Sequence, residues 1–388
     1  MFGFLLGATG MFATMYSTQA ILPELSQAFT VSPSQAGLTI SATVLMVALG
    51  AWLWGALSDH HGRRRSILLA SALLVVPTAA LAVVPTFPLL LACRAAQGLC
   101  MPGLLAVGVP YVGEVFTPRL AGRAMGYYTV ALVVGGLVGR IGVALLTAAV
   151  GWRLALAALA LLPAAGVLVM RRSLPEAPAP ARSRRGLTGV LAQARSGPLL
   201  RPTVAGSALL FMFIGTFSYV TFRLERPPFG LGLGAVSLVF ALWVVGGISP
   251  VAGRLVDRLG WRLVALGALG CGGLGLLLTL AAALPVIVVG LAVVATGMFS
   301  GVTAAQIGVV ESAAVDRGTA SGVYFTGYYV AGALGGYLPG LAWEGLRWPG
   351  VVLVGLVALG LAGVCLGAGA EPPSSRGGGP GPRGGPAG

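Results

Sequence analysis

Gly55–Ser66 reads GALSDHHGRRRS, with one aspartate, two histidines and three consecutive arginines packed together. Only 9% of the 388 residues are charged, so this polar knot belongs in water, between segments that avoid water. Its frame of Gly55, Asp59 and Gly62 returns as Gly253, Asp257 and Gly260, an offset of 198 residues. Further on, Gly126, Tyr128, Gly139 and Trp152 stand 196 residues before Gly322, Tyr324, Gly335 and Trp348. Two nearly equal offsets predict a duplicated unit whose copies run in the same direction, related by an axis along a membrane normal. GWRL, at Gly151–Leu154 and again at Gly260–Leu263, breaks that offset and is coincidence.

Working outward from the knot, the chain is 57% hydrophobic with a mean hydropathy of +0.93, whereas a soluble domain carries roughly a quarter charged residues. Runs of about twenty apolar residues, each enough to cross the hydrocarbon of a bilayer, follow one another along almost the whole length. They predict an all-α polytopic membrane protein with twelve spans, at 3–22, 37–57, 67–85, 88–110, 123–146, 152–170, 203–222, 234–254, 263–283, 285–308, 319–342 and 350–369. The units are residues 1–170 and 203–370, six spans each, joined by a Pro- and Arg-rich linker at 171–202 with a short amphipathic helix around Leu187–Ala194. The Gly- and Pro-rich tail at 371–388 buries too little apolar surface to order. The first span lacks a basic leader and a small-residue cleavage site, which speaks against a removable signal peptide.

The net charge of +14 comes from 24 basic residues, all arginine. If the amino terminus is cytoplasmic, Arg63, Arg64, Arg65, Arg119, Arg123, seven arginines between Arg171 and Arg201, Arg254, Arg258, Arg262, Arg317, Arg376 and Arg383 fall on the inner side. Arg153, Arg223, Arg226 and Arg347 fall outside, and this bias places both termini in the cytoplasm. Arginines spread this way hold loops at a membrane face and do not form a nucleic-acid footprint. Cys93, Cys100, Cys271 and Cys365 lie in apolar runs and suggest neither disulfides nor a metal cluster. The only histidines, His60 and His61, sit in the knot, and nothing resembles a catalytic dyad, a metal set or a cofactor cradle.

The knot, with Gly55, Asp59, Gly62, Arg63 and Arg64 between spans two and three and its echo at Gly253 and Asp257, resembles the signature loop of the major facilitator superfamily. That resemblance implies two six-helix bundles rocking about a central site, and a cytoplasmic latch formed by Asp59, Arg63 and Arg64. RAAQG, Arg94–Gly98, is similar to the fourth-helix arginine motif of that superfamily's drug and sugar exporters. Gly126, Gly135 and Gly139 match the spacing of the exporters' fifth-helix glycine motif, except that Arg140 stands where the motif has proline. GGLVGR, with ILPELSQAFTVSPSQAG near the start, looks more like the YnfM-type bacterial inner-membrane branch.

By resemblance, spans one, four, seven and ten line the cavity. Helical spacing then groups Phe12, Met15 or Tyr16, and Gln19 on span one, Arg94, Gln97 and Met101 on span four, and Phe299, Thr303 and Gln306 on span ten. Each set mixes aromatic or thioether surface with an amide, as an amphipathic small molecule requires. Arg94 and Arg140 are the only charges clearly within spans, where an arginine needs a partner or a wet cavity. They suit an anionic or polyhydroxylated ligand; they equally suit backbone carbonyls of span one, or Glu24 and Glu225 near the outer face. The expectation is a monomeric secondary transporter in a bacterial cytoplasmic membrane, exporting a small organic solute by proton-coupled efflux driven by the proton gradient and using no cofactor. Uptake of a sugar or organic anion, and a non-transporting sensor, are the alternatives.

Overall fold

The computed structural model describes residues 1–176, 197–312 and 317–368, and these are almost entirely helical. The expected linker helix around Leu187–Ala194 and the tail from residue 371 lie outside the described residues. Among the described residues, ten helices are long and apolar enough to cross a membrane. The last, Thr319–Gly367, is two helices that meet at Arg347. Phe2–Met15 adds a further crossing, continued by the tight turn Gln19–Ile21 and the helix Leu22–Phe29. The architecture is thus consistent with twelve crossings.

Span two, Pro33–His61, starts at a reciprocal cap in which the Ser32 hydroxyl accepts from the Gln35 N–H while the Gln35 side chain accepts from the Ser32 N–H. It ends at Gly62, whose φ of 88° lets the chain turn directly into span three, Arg63–Ala80. In the second half, Gly260 makes the same turn at φ 81°, between Ser249–Leu259 and Trp261–Leu278, 198 residues on. The turn between spans five and six uses Gly151 at φ 84°; its counterpart 196 residues later is Arg347, at φ 57° and ψ −141°. The duplication therefore survives in the backbone, but the second copy forces an arginine into a conformation that glycine adopts freely, at a cost of order 1–3 kcal/mol.

The halves meet most closely along span two and span eleven. A methyl group on Gly37 would overlap the Gly336 carbonyl oxygen and the Tyr219 hydroxyl, so the two backbones lie directly on one another. Around that crossing the Ser41 hydroxyl donates to the Ala333 carbonyl (2.6 Å) and the Tyr219 hydroxyl to the Gly336 carbonyl (2.7 Å). One carboxylate oxygen of Glu344 accepts from both the Ser34 hydroxyl and the Ser34 N–H. At the same end Gly197–Glu225, span seven, packs on Gln19–Ile21 and Leu22–Phe29. Towards Asp59, span one packs instead within its own half, on Pro118–Leu137 and Leu161–Ser173. Trp52 still reaches Gly322 there.

Candidate functional site

Span one breaks after Met15, which leaves backbone carbonyls without helical partners. Arg94, on Phe87–Cys100 and wholly buried, fills that break. Its guanidinium donates to the carbonyls of Thr14 (2.9 Å), Met15 (2.6 Å) and Thr39 (3.0 Å) and to Gln97 Oε1 (2.7 Å). Gln97 in turn donates to the Thr78 hydroxyl (3.0 Å), so the set ties together spans one, two, three and four. Met101 is buried beside Gly7, Met11 and Leu104. This corrects the expectation that Arg94, Gln97 and Met101 face a central cavity: all three point into the first half, because span one offers orphan carbonyls there.

Arg140 behaves differently. It lies in Val138–Gly142, a stretch where the helix widens by one residue per turn, a distortion common at functional sites. Gly135 and Gly139 bring that helix flush against span one; a methyl group on either would overlap the carbonyl oxygen of Thr9 or Ala13. Gly126, expected to pack likewise, is exposed, with nothing within 4 Å of a Cβ placed there. The Arg140 guanidinium projects across the junction of the halves, 4.3 Å from the centre of the Tyr16 ring and 3.6 Å from that of Trp243. Its Nε donates to Gln19 Oε1 and one terminal nitrogen to the Gly136 carbonyl, both at 2.8 Å. Gln19 passes the connection on, donating to the Ser218 hydroxyl in the second half (3.0 Å). The other terminal nitrogen of Arg140 and the Trp243 indole N–H are buried without an acceptor among the described residues.

Glu24 and Glu225, raised as partners for Arg140, take no part in these bonds. Glu24 lies in Leu22–Phe29, where burial raises its carboxyl above the ordinary carboxylate range, its own backbone N–H partly offsetting this.

The second half supplies an aromatic wall. Phe213 and Phe217 stand one turn apart on span seven, and the Trp243 ring contacts both, at 4.8 and 6.3 Å. Phe240 and Trp243 fall on Leu238–Ile248, a tightly wound stretch of three residues per turn that puts both on one side, towards Arg140. Phe299 joins this wall, 5.7 Å from Phe213. Thr303 spends its hydroxyl on the Phe299 carbonyl of its own helix (2.8 Å), and Gln306 is exposed, so of the three span-ten candidates only Phe299 reaches the cluster. Sequence reasoning missed Phe213, Phe217, Ser218, Phe240 and Trp243; the i, i+4 pair of phenylalanines was the available signal.

At the knot, Arg63 pairs with Asp59 (3.1 Å) and Glu114 (3.3 Å), and Arg64 with Glu176 (2.9 Å) and the carbonyls of Leu174 and Arg171. Asp59 and Glu114 belong to the first half, and Arg171, Leu174 and Glu176 to the start of the linker that leaves it, so in this conformer the expected latch is folded back on its own side. Gly55 has nothing within 4 Å of a Cβ placed there; of the echo, Gly253 is likewise open and Asp257 is exposed.

Comparison with known proteins places this geometry among transporters. The family description Major Facilitator Superfamily matches residues 4–336. The chain is 30% identical over 338 residues to the inner membrane transport protein YnfM of Escherichia coli (strain K12), covering 86% of this chain and 81% of the relative. It is 29% identical over 352 residues to the uncharacterized MFS-type transporter YybF of Bacillus subtilis (strain 168), covering 88% and 86%. Among solved structures, that of the nucleoside transporter NupG superposes with a TM-score of 0.81 over 95% of this chain and 98% of the other, at 13% identity.

Proposed function

Since the chain belongs to the major facilitator superfamily and is a multi-pass membrane transporter, not an enzyme, we propose that it carries a small organic solute across the bacterial cytoplasmic membrane by alternating access, with proton-driven efflux as its mode. The observation that carries this reading is the Arg140 junction. A buried cation held by Tyr16 and Gln19 from one half faces Trp243, Phe240 and Ser218 from the other, so rocking the halves must make and break its contacts. A solute bound here has a stake in both bundles, which is what couples its passage to their motion.

With the Asp59 loop in the cytoplasm, the contacts of Ser34, Ser41 and Tyr219 lie at the outer face, and this conformer is sealed on that side. Asp59, Arg63 and Arg64 would then close the inner face in the opposite conformer, exchanging their present partners in the first half and the linker for ones in the second half. Coupling to protons needs a carboxyl that can take up and release a proton during the cycle. Glu24 has a raised carboxyl whose Oε2 is buried without a partner among the described residues, and we assign it that role.

The test is purified protein in liposomes with an imposed pH gradient. Solute flux with a matching change in internal pH is expected, and Glu24→Gln should leave flux that no longer dissipates the gradient. A correctly folded protein that moves none of a broad panel of solutes would establish the sensor reading instead. Uptake of an organic anion is the second reading. It is favoured by the Arg140 site itself, whose unpaired groups are both hydrogen-bond donors, Arg140 and the Trp243 indole. Flux that runs only down an inward proton gradient would establish it.

A further inference from the structure

Four arginines fall on the side away from Asp59, and three of them converge. Arg223 and Arg226 at the end of span seven, and Arg347 at the break between spans eleven and twelve, line one cavity of about 540 Å³ with Trp343, Trp348 and Phe229. This pocket lies wholly in the second half, at the Glu344 end of the molecule and apart from Arg140.

The three cations are not alike. Arg223 is pinned: it donates to the carbonyls of Thr279 and Ala281 at the end of span nine, over the Trp348 ring at 5.2 Å. The Trp348 indole is committed too, donating to the Thr279 carbonyl (3.1 Å). Arg226 lies over Trp343 at 5.7 Å and has no hydrogen-bond acceptor among the described residues, and neither has Arg347. The Trp343 indole N–H is buried without a partner. Of the neighbouring carboxylates, Glu344 is engaged by Ser34 in the other half, and Glu225 sits beside Arg226 without lining the cavity. The backbone adds one more fact: Arg347 holds a left-handed φ where the equivalent turn of the first half has Gly151.

We infer that this pocket binds the phosphate of an acidic phospholipid in the leaflet away from Asp59. Two guanidinium groups without a hydrogen-bond acceptor, and an indole N–H, supply donors to the phosphate oxygens. Pro227, Pro228 and Leu280 supply an apolar wall for the glycerol and upper chain, at the depth where tryptophan rings gather. A basic pocket between membrane helices is a physical match for a lipid headgroup, and the apolar wall is superfluous for a free anion. The inference does not depend on the transported solute, and it stands or falls separately from the Arg140 reading.

The experiment is thermal unfolding of the full-length protein in detergent with phosphatidylglycerol, phosphatidylcholine or inorganic phosphate added. Phosphatidylglycerol should raise the unfolding temperature by several degrees over phosphatidylcholine, because it binds the folded state selectively. The double variant Arg226→Ala/Arg347→Gly should lose that increment. Its unfolding temperature without lipid should be unchanged or higher, since glycine relieves the turn. Equal responses to the two lipids, or an increment kept by the variant, overturns the proposal. An equal increment from inorganic phosphate overturns the lipid as source and leaves a soluble anion site.

Discussion

Arg94 and Arg140 are both buried in the hydrocarbon-spanning part of the same half, yet they do opposite work. Arg94 finds backbone carbonyls and an amide inside its own bundle, with its donors aimed at the break in span one. Arg140 reaches out of its bundle, rests between two aromatic rings and keeps a buried N–H unpaired. A buried arginine with every donor engaged is a structural tie, because nothing is left to recognise a ligand. One held by ring faces keeps hydrogen-bonding capacity in reserve, and here it does so where the two moving parts meet.

The largest effect should come from Arg94→Ala, which leaves the Met15 carbonyl and Gln97 Oε1 buried without a donor and takes one donor each from the Thr14 and Thr39 carbonyls, at about 1–3 kcal/mol for each group left unpaired. Loss of the monodisperse peak on fluorescence-detected size exclusion is the expected result. Arg94→Lys should not restore it, since an ammonium cannot span acceptors arranged around a fork. A well-folded Arg94→Ala protein that fails only in transport would erase the contrast between the two arginines.

Arg140→Ala should next give a folded, inserted protein without coupled flux in liposomes. Arg140→Lys keeps the charge but loses the stack between Tyr16 and Trp243, so partial flux with weaker solute binding is expected. Normal transport by Arg140→Ala would remove the site. Trp243→Leu probes the same contact from the other half. A desolvated cation–π contact is worth about 2 kcal/mol, so titration of a transported solute should show affinity falling by roughly tenfold or more.

The two classes of glycine sharpen the comparison further. Gly139→Ala must push the Arg140 helix away from Ala13 and should lower both thermal stability and flux, whereas Gly126→Ala meets nothing and should change stability by no more than about 0.5 kcal/mol. Apart from Gly126→Ala, Glu344→Gln should have the smallest effect. It turns the charge-assisted bonds to Ser34 into neutral ones, and a modest rise in thiol labelling of a cysteine placed at Ser41 would report the loosened seal.

The knot and its echo made the duplicated architecture legible, because a polar loop among apolar spans and a recurring Gly-Asp-Gly frame are local, one-dimensional signals. The conformational demand that Gly62 and Gly260 meet is equally local, and the structure places a positive φ at both. The cavity was less legible. Helical spacing put Arg94, Gln97 and Met101 correctly on one face but could not say that this face turns into the bundle, since that depends on where span one breaks. Nor could it find Trp243, which matters only because the second half brings it against a cation from the first.

By itself, then, the chain's sequence determined a membrane protein built of two like-oriented halves and marked Arg94 and Arg140 as its costly buried charges. Only the tertiary structure decided which arginine is a tie and which a contact between halves. Periodicity reports the side of a helix a residue occupies, whereas the neighbour on that side is set by packing between segments up to two hundred residues apart, as between Gln19 and Ser218.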